Sequence, residues 1–141
     1  MAGYMSKLQG YIYEGEKVNG TAAAVQNGLL LVAGTSTNAG KLVAPSADTT
    51  TKLLCKEVTN IYGLTAYRFE VMKLNANYYF VENGFEVNDD EAYDETVYTT
   101  AVGKRLRAHP LVVGEEFITT AVDGTPTVGT EYGVKATGLV G

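Results

Sequence analysis

The segment VENGFEVNDDEAYDE, residues 81–95, concentrates the side chains with the greatest capacity for chemistry. Its carboxylates are Glu82, Glu86, Asp89, Asp90, Glu91, Asp94 and Glu95, with no basic residue among them. Clusters of oxygen ligands can hold a hard cation such as calcium, which takes about six to eight oxygens. The spacing departs from that of an EF-hand loop, however. A solvated acidic loop, or the first turn of a short helix, is the favoured interpretation, so no metal ligand is assigned here and cation binding stays open.

The chain has one histidine and one cysteine. His109 could act as a general base, but catalysis would also need a nucleophile and an orienting group, which the sequence does not show. Pro110 favours an extended conformation for His109, which fits the end of a strand. Cys55 lies in the apolar segment KLLCKEV and is predicted to be a buried thiol. A lone cysteine forms no intrachain disulfide, which is typical of folding in a reducing cytoplasm.

Several enzyme signatures are missing from the sequence. It contains no phosphate loop, no dinucleotide-binding glycine motif, no H-E-x-x-H and no G-x-S-x-G. These absences favour a binding or structural protein over an enzyme, and no cofactor is predicted. A glycosidase that uses two carboxylates of the acidic segment is the weakest alternative. Carboxylates on one polar loop are poorly placed to acquire the separated pKa values that such a reaction needs.

A basic cluster, Lys104, Arg105 and Arg107, follows the acidic segment. Charged side chains are common on solvated strand edges, where they discourage unwanted pairing with another sheet. The functional interpretation is an electrostatic contact with an acidic partner surface, because the planar guanidinium of arginine binds carboxylates through two hydrogen bonds. The two interpretations stay open, and the cluster is a candidate partner-binding site.

Length and charge exclude several classes of protein. The 141 residues, 15.1 kDa in mass, suit a single globular domain. A net charge of -5 disfavours direct binding to nucleic acid, which needs a cationic surface. The longest apolar run, GLLLVAG, is far shorter than the ~20 residues that span a bilayer, so no membrane partner is expected. The first residues also lack the apolar region of a secretory signal.

The pattern of apolar residues predicts β structure. In AYRFEVMKL, Tyr67, Phe69, Val71 and Lys73 alternate with the remaining side chains, as expected for a strand that buries the first face. The dipeptide Asn27-Gly28 suits a tight hairpin turn. Short strand-like runs recur between turn signals, so the predicted fold is all-β, a single compact β-barrel or β-sandwich.

One short motif occurs twice near the end of the chain, as VGEEF at residues 113–117 and VGTEY at residues 128–132. In each copy a valine ends an apolar stretch, a glycine permits a bend, and a glutamate and an aromatic residue begin a new run. Asp123, Gly124 and Pro126 mark a turn between the copies. We interpret the pair as two successive β corners in one compact carboxyl-terminal unit.

The first 21 residues differ from the rest. Glycines are spaced along them, and Tyr4, Tyr11, Ile12 and Tyr13 offer more apolar surface than a free tail usually carries. We interpret residues 1–21 as an extended arm and residues 22–141 as a β-rich domain. The alternatives are a frayed terminus and an arm that docks on this domain or on a neighbour. The four apolar residues are candidate partner contacts.

The segments VQNGLLLVAG, GKRLRAHPLVVGEEFITT and TPTVGTEYGVKATG resemble the head decoration, or capsid cement, proteins of tailed bacteriophages. The similarity runs from about residue 22 to 138 and rests on short glycine-dependent motifs. The matching positions are Asn27 and Gly28, Arg105 and Arg107, Gly114, Glu115 and Phe117, and Val128 and Gly129. Thr130 stands where an aspartate is typical of that family, and the glycine-rich arm is not a shared feature.

This resemblance implies a non-enzymatic protein of the virion. Such a domain docks on the outside of a capsid assembled in the host cytoplasm, bridges subunits of the major capsid protein, and contacts neighbouring copies of itself. Many copies on one lattice can hold strongly although each contact is modest. The alternative is a small β module of a virion that binds carbohydrate or a cell surface, in which Tyr78, Tyr79 and Tyr93 would stack on sugar rings.

Overall fold

A computed structural model of the protein describes residues 3–4, 17–61, 63–81, 99–100, 102–103, 105–106 and 108–141. These residues form strands, turns and one short 3-10 helix, Ser36–Asn38, and no α-helix occurs among them. The strands belong to sheets of five, six and two strands. The predicted all-β class is confirmed. Since the sheets do not close into a barrel, the architecture is the sandwich form of the prediction.

The strands in the described residues are numbered in chain order. Two of them, of 14 and 10 residues, are much longer than the others and form one hairpin. The strands are β1 Gly3–Tyr4, β2 Lys17–Asn19, β3 Val25–Gln26, β4 Leu30–Ala33, β5 Lys41–Val43, β6 Asp48–Ile61, β7 Leu64–Lys73, β8 Tyr78–Val81, β9 Thr99–Thr100, β10 Arg105–Leu106, β11 Ala108–Pro110, β12 Glu116–Thr119 and β13 Glu131–Val134.

The first sheet is antiparallel and has the strand order β1-β12-β7-β6-β13. The β6–β7 hairpin lies at its centre, with Cys55 opposite Phe69. Alternation along β7 buries Tyr67, Phe69 and Val71 on one face, as the sequence predicted. Lys73, at the end of that face, is exposed. The hairpin therefore presents its apolar face to the interior of the sandwich.

The second sheet has the strand order β10-β2-β5-β4-β8-β11. Its pairs are antiparallel except for β2 and β5, which run parallel. Phe80 on β8 lies between Leu30 on β4 and His109 on β11. His109 is therefore in a strand that ends at Pro110, as the sequence predicted. The third sheet consists of β3 and β9 alone.

The core lies between the two larger sheets and is centred on aromatic rings. The Phe117 ring lies 5.7 Å from the ring of Phe69 and 5.1 Å from that of Phe80, between centroids. Phe69 and Phe117 belong to the first sheet and Phe80 to the second, so these contacts join the layers. All three side chains are fully buried, and burying a phenylalanine contributes about 1.5–3 kcal/mol.

The turn at Asn27-Gly28 differs from its prediction. Gly28 has a φ of 96°, so the predicted turn is present. The hairpin prediction is wrong, because β3 pairs with β9 whereas β4 pairs with β5 and β8. Gly28 instead donates its N–H to the Val81 carbonyl, and its own carbonyl accepts a hydrogen bond from the Thr119 hydroxyl. A glycine permits the turn, but pairing between distant strands decides where the chain goes next.

Two parts of the amino-terminal segment are strands. Gly3 and Tyr4 pair with Thr119 and Ile118 at the outer side of the first sheet. Lys17–Asn19 forms β2, between β10 and β5 in the second sheet. The boundary at residue 21 stays a prediction. Tyr11, Ile12 and Tyr13 lie outside the described residues.

Candidate functional site

The partner-binding residues predicted from sequence fall on two different sheets or outside the description. Tyr4 lies in β1 and pairs with Ile118, and Arg105 lies in β10 and pairs with Val18. Strands β1 and β10 are the outer strands of separate sheets, so no backbone pairing brings Tyr4 and Arg105 together. Lys104, Arg107, the three arm residues 11–13 and the acidic segment 82–95 lie outside the described residues.

The first copy of the repeated motif forms a turn that attaches the start of β12 to β7. A hydrogen bond of 3.0 Å from the Glu115 N–H to the Val112 carbonyl closes this turn, and Gly114 has a φ of 95°. The Gly114 N–H then bonds to the Val71 carbonyl at 2.8 Å, and the Glu115 carbonyl accepts the Val71 N–H at 2.9 Å. Glycine adopts a positive φ without the steric cost that a side chain adds, which explains why the motif contains it.

The second copy repeats this geometry on the other strand of the hairpin. The Thr130 N–H bonds to the Thr127 carbonyl at 3.1 Å, and Gly129 has a φ of 90°. The Gly129 N–H bonds to the Cys55 carbonyl at 2.8 Å, and the Thr130 carbonyl accepts the Cys55 N–H at 3.0 Å. Each copy therefore makes one pair of backbone hydrogen bonds to one residue of the hairpin.

The strand register makes the two copies equivalent about a local twofold axis between Leu54 and Glu70. These two residues lie opposite each other in the hairpin. Glu116 pairs with Glu70 in the same way as Glu131 pairs with Leu54. Likewise, Phe117 pairs with Phe69 in the same way as Tyr132 pairs with Leu53. The predicted turns are present, but the prediction of successive corners in one unit is wrong. Strands β12 and β13 lie on opposite sides of the hairpin, separated by β7 and β6.

The aromatic residues of both copies converge on Phe69. The ring of Phe117 lies 5.7 Å from that of Phe69, and the ring of Tyr132 lies 6.4 Å from it in an edge-on arrangement. Such pairs stabilise beyond the area they bury. The Tyr132 hydroxyl also accepts a hydrogen bond from the Thr127 N–H at 2.8 Å. The Phe69 ring thus packs against the aromatic residue of both copies of the motif.

The valines of both copies point outward. Val113 is 57% exposed, Val128 is 53% exposed, and Val112 is also exposed. Met72, next to Val71 on β7, is a further exposed apolar side chain. Because the backbone of each turn is bonded to the central hairpin, these apolar groups are held on a rigid support. Exposed apolar groups on such a support are suited to contact with another surface.

The two copies differ at the residue after the glycine. Glu115 is buried, and its carboxylate accepts a hydrogen bond of 2.9 Å from the Val112 N–H. The same carboxylate lies 3.0 Å from Nε2 of His109, which is fully buried on β11. Thr130, at the equivalent position, is exposed. The His109–Glu115 pair therefore links the second sheet to the first turn, and sequence reasoning missed it although the residues are close in sequence.

The outward face of the first sheet carries ion pairs. Arg68 bonds to both Glu116 and Glu57, and Lys56 lies 3.1 Å from Glu70. The hydrogen bond to Glu116 is the largest cause that raises the pKa of Arg68. These groups are partly exposed, and such pairs typically contribute less than about 1 kcal/mol. The carboxylates are therefore engaged in ordinary surface pairs.

A buried polar cluster surrounds Asp48. Its carboxylate accepts hydrogen bonds from the hydroxyls of Tyr78 and Thr51, at 2.6 and 2.7 Å. The backbone N–H groups of Thr50 and Thr51 donate to its other oxygen. Burial raises the pKa of Asp48, but the four hydrogen bonds, that of Tyr78 foremost, outweigh it and bring the pKa to about 2. Asp48 is thus a structural group that is ionised near neutral pH and is not poised to transfer a proton there.

The remaining reactive groups are also buried. Burial raises the pKa of the Cys55 thiol, which confirms the predicted buried thiol and opposes its reactivity. Tyr78 is 2% exposed, so the expectation that its ring stacks on a sugar is wrong; Tyr79 is half-buried and Tyr93 lies outside the described residues. Across the described ranges, no group of three or more histidine, cysteine, aspartate or glutamate residues could hold a metal ion.

No family model, curated protein or solved structure matches this chain. In the part of the chain that the structure describes, no helix is long and apolar enough to cross a membrane. The arrangement can present a stiff sheet, ion pairs on its outer face, and apolar side chains at two turns.

Proposed function

We propose that this chain is a non-enzymatic structural protein that binds the outer surface of an assembled phage capsid and stabilises it by bridging major capsid subunits. The observation that carries the proposal is the equivalent display of Val113 and Val128 on two turns bonded to one hairpin. A bridging protein needs contacts at more than one place on a support that does not deform. Val113 and Val128, on opposite sides of the four strands β12-β7-β6-β13, meet that requirement.

Three further observations support this proposal. Gly28, Gly114 and Gly129, which carry the resemblance to capsid cement proteins, are all at turns with positive φ. The reactive groups His109 and Cys55 are buried. The predicted contacts Tyr4 and Arg105 lie in outer strands, where further chain can pair or dock. Many copies of a domain with modest contacts hold a lattice together through multivalency.

The direct test compares purified capsids with and without the protein. Particles that carry it should resist higher temperature and lower ionic strength before they release DNA, as measured by a dye that reports free DNA. Mass spectrometry of purified virions should detect the chain. Equal resistance of the two kinds of particle would contradict the stabilising role, and the protein's absence from virions would contradict the proposed location.

Variants of the turns give a sharper test. The double variant V113K/V128K places charge on both exposed valines and should weaken attachment to capsids, measured by co-sedimentation. Thr37→Lys, at an exposed position within the 3-10 helix, adds the same type of charge elsewhere and is the matched control. The control should attach as the unmodified protein does. Unchanged attachment of the double variant would remove the turns from the interface.

The amino-terminal segment needs a separate test. Deletion of residues 1–16 removes the two-residue outer strand β1 and leaves β2 in place, whereas deletion through residue 21 would also remove a strand from the second sheet. The shorter deletion removes Tyr4, Tyr11, Ile12 and Tyr13 and should weaken attachment while circular dichroism still reports the fold. Attachment at full strength would show that this segment does not bind the shell. The triple variant of Lys104, Arg105 and Arg107 to alanine tests the basic cluster in the same assay.

A further inference from the structure

The β6–β7 hairpin extends past the strand that flanks it on the β6 side. The last hydrogen bonds from that side reach Cys55, from Gly129 and Thr130. The ladder between β6 and β7 continues for several more pairs, to Ile61 opposite Leu64. Among the described residues, no strand pairs with β6 from residue 57 to 61 on the side away from β7. We define Glu57–Ile61 as the open edge.

The open edge lacks several of the devices that keep strand edges from pairing, although a β-bulge lies at its start, between Cys55 and Glu57. Its sequence, EVTNI, has one charge at its start and no lysine or proline. Val58 lies opposite the buried Tyr67, on the inner face, yet it is 48% exposed. Leu64, on the paired strand, is 38% exposed. An edge with a single charge and half-exposed apolar side chains is typical of strands that accept another strand.

We propose that the open edge pairs with the same segment of a second copy, antiparallel and centred on Thr59. The chemistry of the segment favours this occupant. Glu57 is its one charged residue, and pairing centred on Thr59 sets Glu57 opposite Ile61 of the other copy, so no like charges face each other. A charged partner would find almost no complementary charge along this edge. A twofold arrangement is also the commonest symmetry of protein pairs.

The pairing is weak in solution and gains strength on a lattice. Five residues per copy bury much less than the roughly 1,200–2,000 Å² of a stable complex. The free protein should therefore be a monomer when dilute and a dimer at high concentration. This inference deepens the proposed function, because neighbouring copies on a shell would be joined through it. The test uses free protein, so its failure is distinguishable from a failure of capsid attachment.

The test introduces a charge at Thr59, the centre of the proposed pairing between two open edges. Thr59→Lys sets two lysines opposite each other, and Thr59→Glu sets two glutamates opposite each other, so each variant alone should dimerise at least about tenfold more weakly. An equimolar mixture of the two should recover dimerisation. Thr50→Lys is the matched control, because Thr50 is an exposed threonine of the same strand near the end that β13 covers. Sedimentation velocity across a range of concentrations measures all four samples, and circular dichroism checks their fold.

Hydrogen exchange on the unmodified protein provides a measurement that needs no variant. Amide protection between residues 57 and 61 should rise with protein concentration, while that of β13 stays constant. A wild-type protein that stays monomeric at millimolar concentration would overturn the proposal. So would a mixture of the lysine and glutamate variants that associates no better than either alone.

Discussion

Gly114 and Gly129 make the same backbone hydrogen bond to opposite strands of one hairpin. Gly114 bonds to the carbonyl of Val71 and Gly129 to that of Cys55, both at 2.8 Å. Each glycine has a φ near 90°, at 95° and 90°. A motif that is repeated in the sequence is therefore repeated in space about a local twofold axis. Because the two copies are equivalent, each supplies a control for substitutions in the other.

Alanine at either glycine should destabilise the protein by about 1–3 kcal/mol, because a side chain is strained at this backbone conformation. A β-carbon at Gly114 or Gly129 would meet no atom within 4 Å, so crowding adds nothing to the strain. Urea denaturation of Gly114→Ala and Gly129→Ala should give similar losses. Val128→Ala, at an exposed position, is the control and should change the free energy of unfolding by less than about 0.5 kcal/mol. A loss in one glycine variant and none in the other would show that the two turns are not equivalent.

Glu115→Ala should lower the free energy of unfolding by about 1–3 kcal/mol. The change removes the buried carboxylate that accepts the Val112 N–H and contacts the fully buried His109. Thr130→Ala, at the equivalent and exposed position of the second copy, should be close to neutral. Chemical denaturation of both variants makes the comparison. Equal effects would mean that the buried pair contributes no more than the exposed threonine.

Asp48 should contribute to acid sensitivity. Its folded pKa of about 2 lies below the ordinary value of 3.8, so its stabilisation is fully present above about pH 4 and is lost as pH falls through about 2. This lowering of the Asp48 pKa corresponds to about 2 kcal/mol in the free energy of unfolding near neutral pH. Asp48→Asn should be less stable at pH 7 and should lose less stability between pH 4 and 2 than the wild type. Thermal melts at each pH provide the measurement, and parallel pH curves would contradict the prediction.

Tyr78→Phe separates the hydrogen bond from the charge in the same cluster. It removes the hydroxyl that donates to Asp48 at 2.6 Å and keeps the buried ring. The pKa of Asp48 should move up toward its ordinary value of 3.8, so the variant should be less stable than the wild type near neutral pH and should lose less stability between pH 4 and 2. Thermal melts across this pH range provide the measurement. A loss between pH 4 and 2 equal to that of the wild type would assign the low pKa to the threonine donors.

Phe69→Ala should be the most disruptive of these substitutions, at about 3–5 kcal/mol. The ring contacts Phe117 in one copy of the motif and Tyr132 in the other, and it is fully buried. Its loss should therefore loosen both turns, and hydrogen exchange should speed up at Gly114 and Gly129 together. Met72→Ala, on the exposed face of the same strand, is the control. Faster exchange at one glycine alone would contradict a shared support.

The local features of this fold follow from the sequence alone. Alternation in β7 predicted which face is buried, because side chains along an extended chain point to opposite sides whatever surrounds them. Gly28, Gly114 and Gly129 predicted turns, because positive φ is a property of single residues. Cys55 was predicted to be buried from the apolar run around it, and the structure confirms this.

The strand pairings and the buried polar contacts depend on packing between segments that are distant in the sequence. That β3 pairs with β9, and that β12 and β13 flank one hairpin, depends on strands that are far apart in the sequence. Tyr78 was expected at the surface and is buried, because Asp48, thirty residues away, accepts its hydroxyl hydrogen bond. Glu115 and Thr130 occupy equivalent places in the repeat, yet one is buried and the other exposed because His109 lies over the first turn alone. The local propensity of the residues determines which segments form strands and turns, whereas packing between distant segments determines which strands lie next to each other. The proposed function depends on the surface that this packing produces.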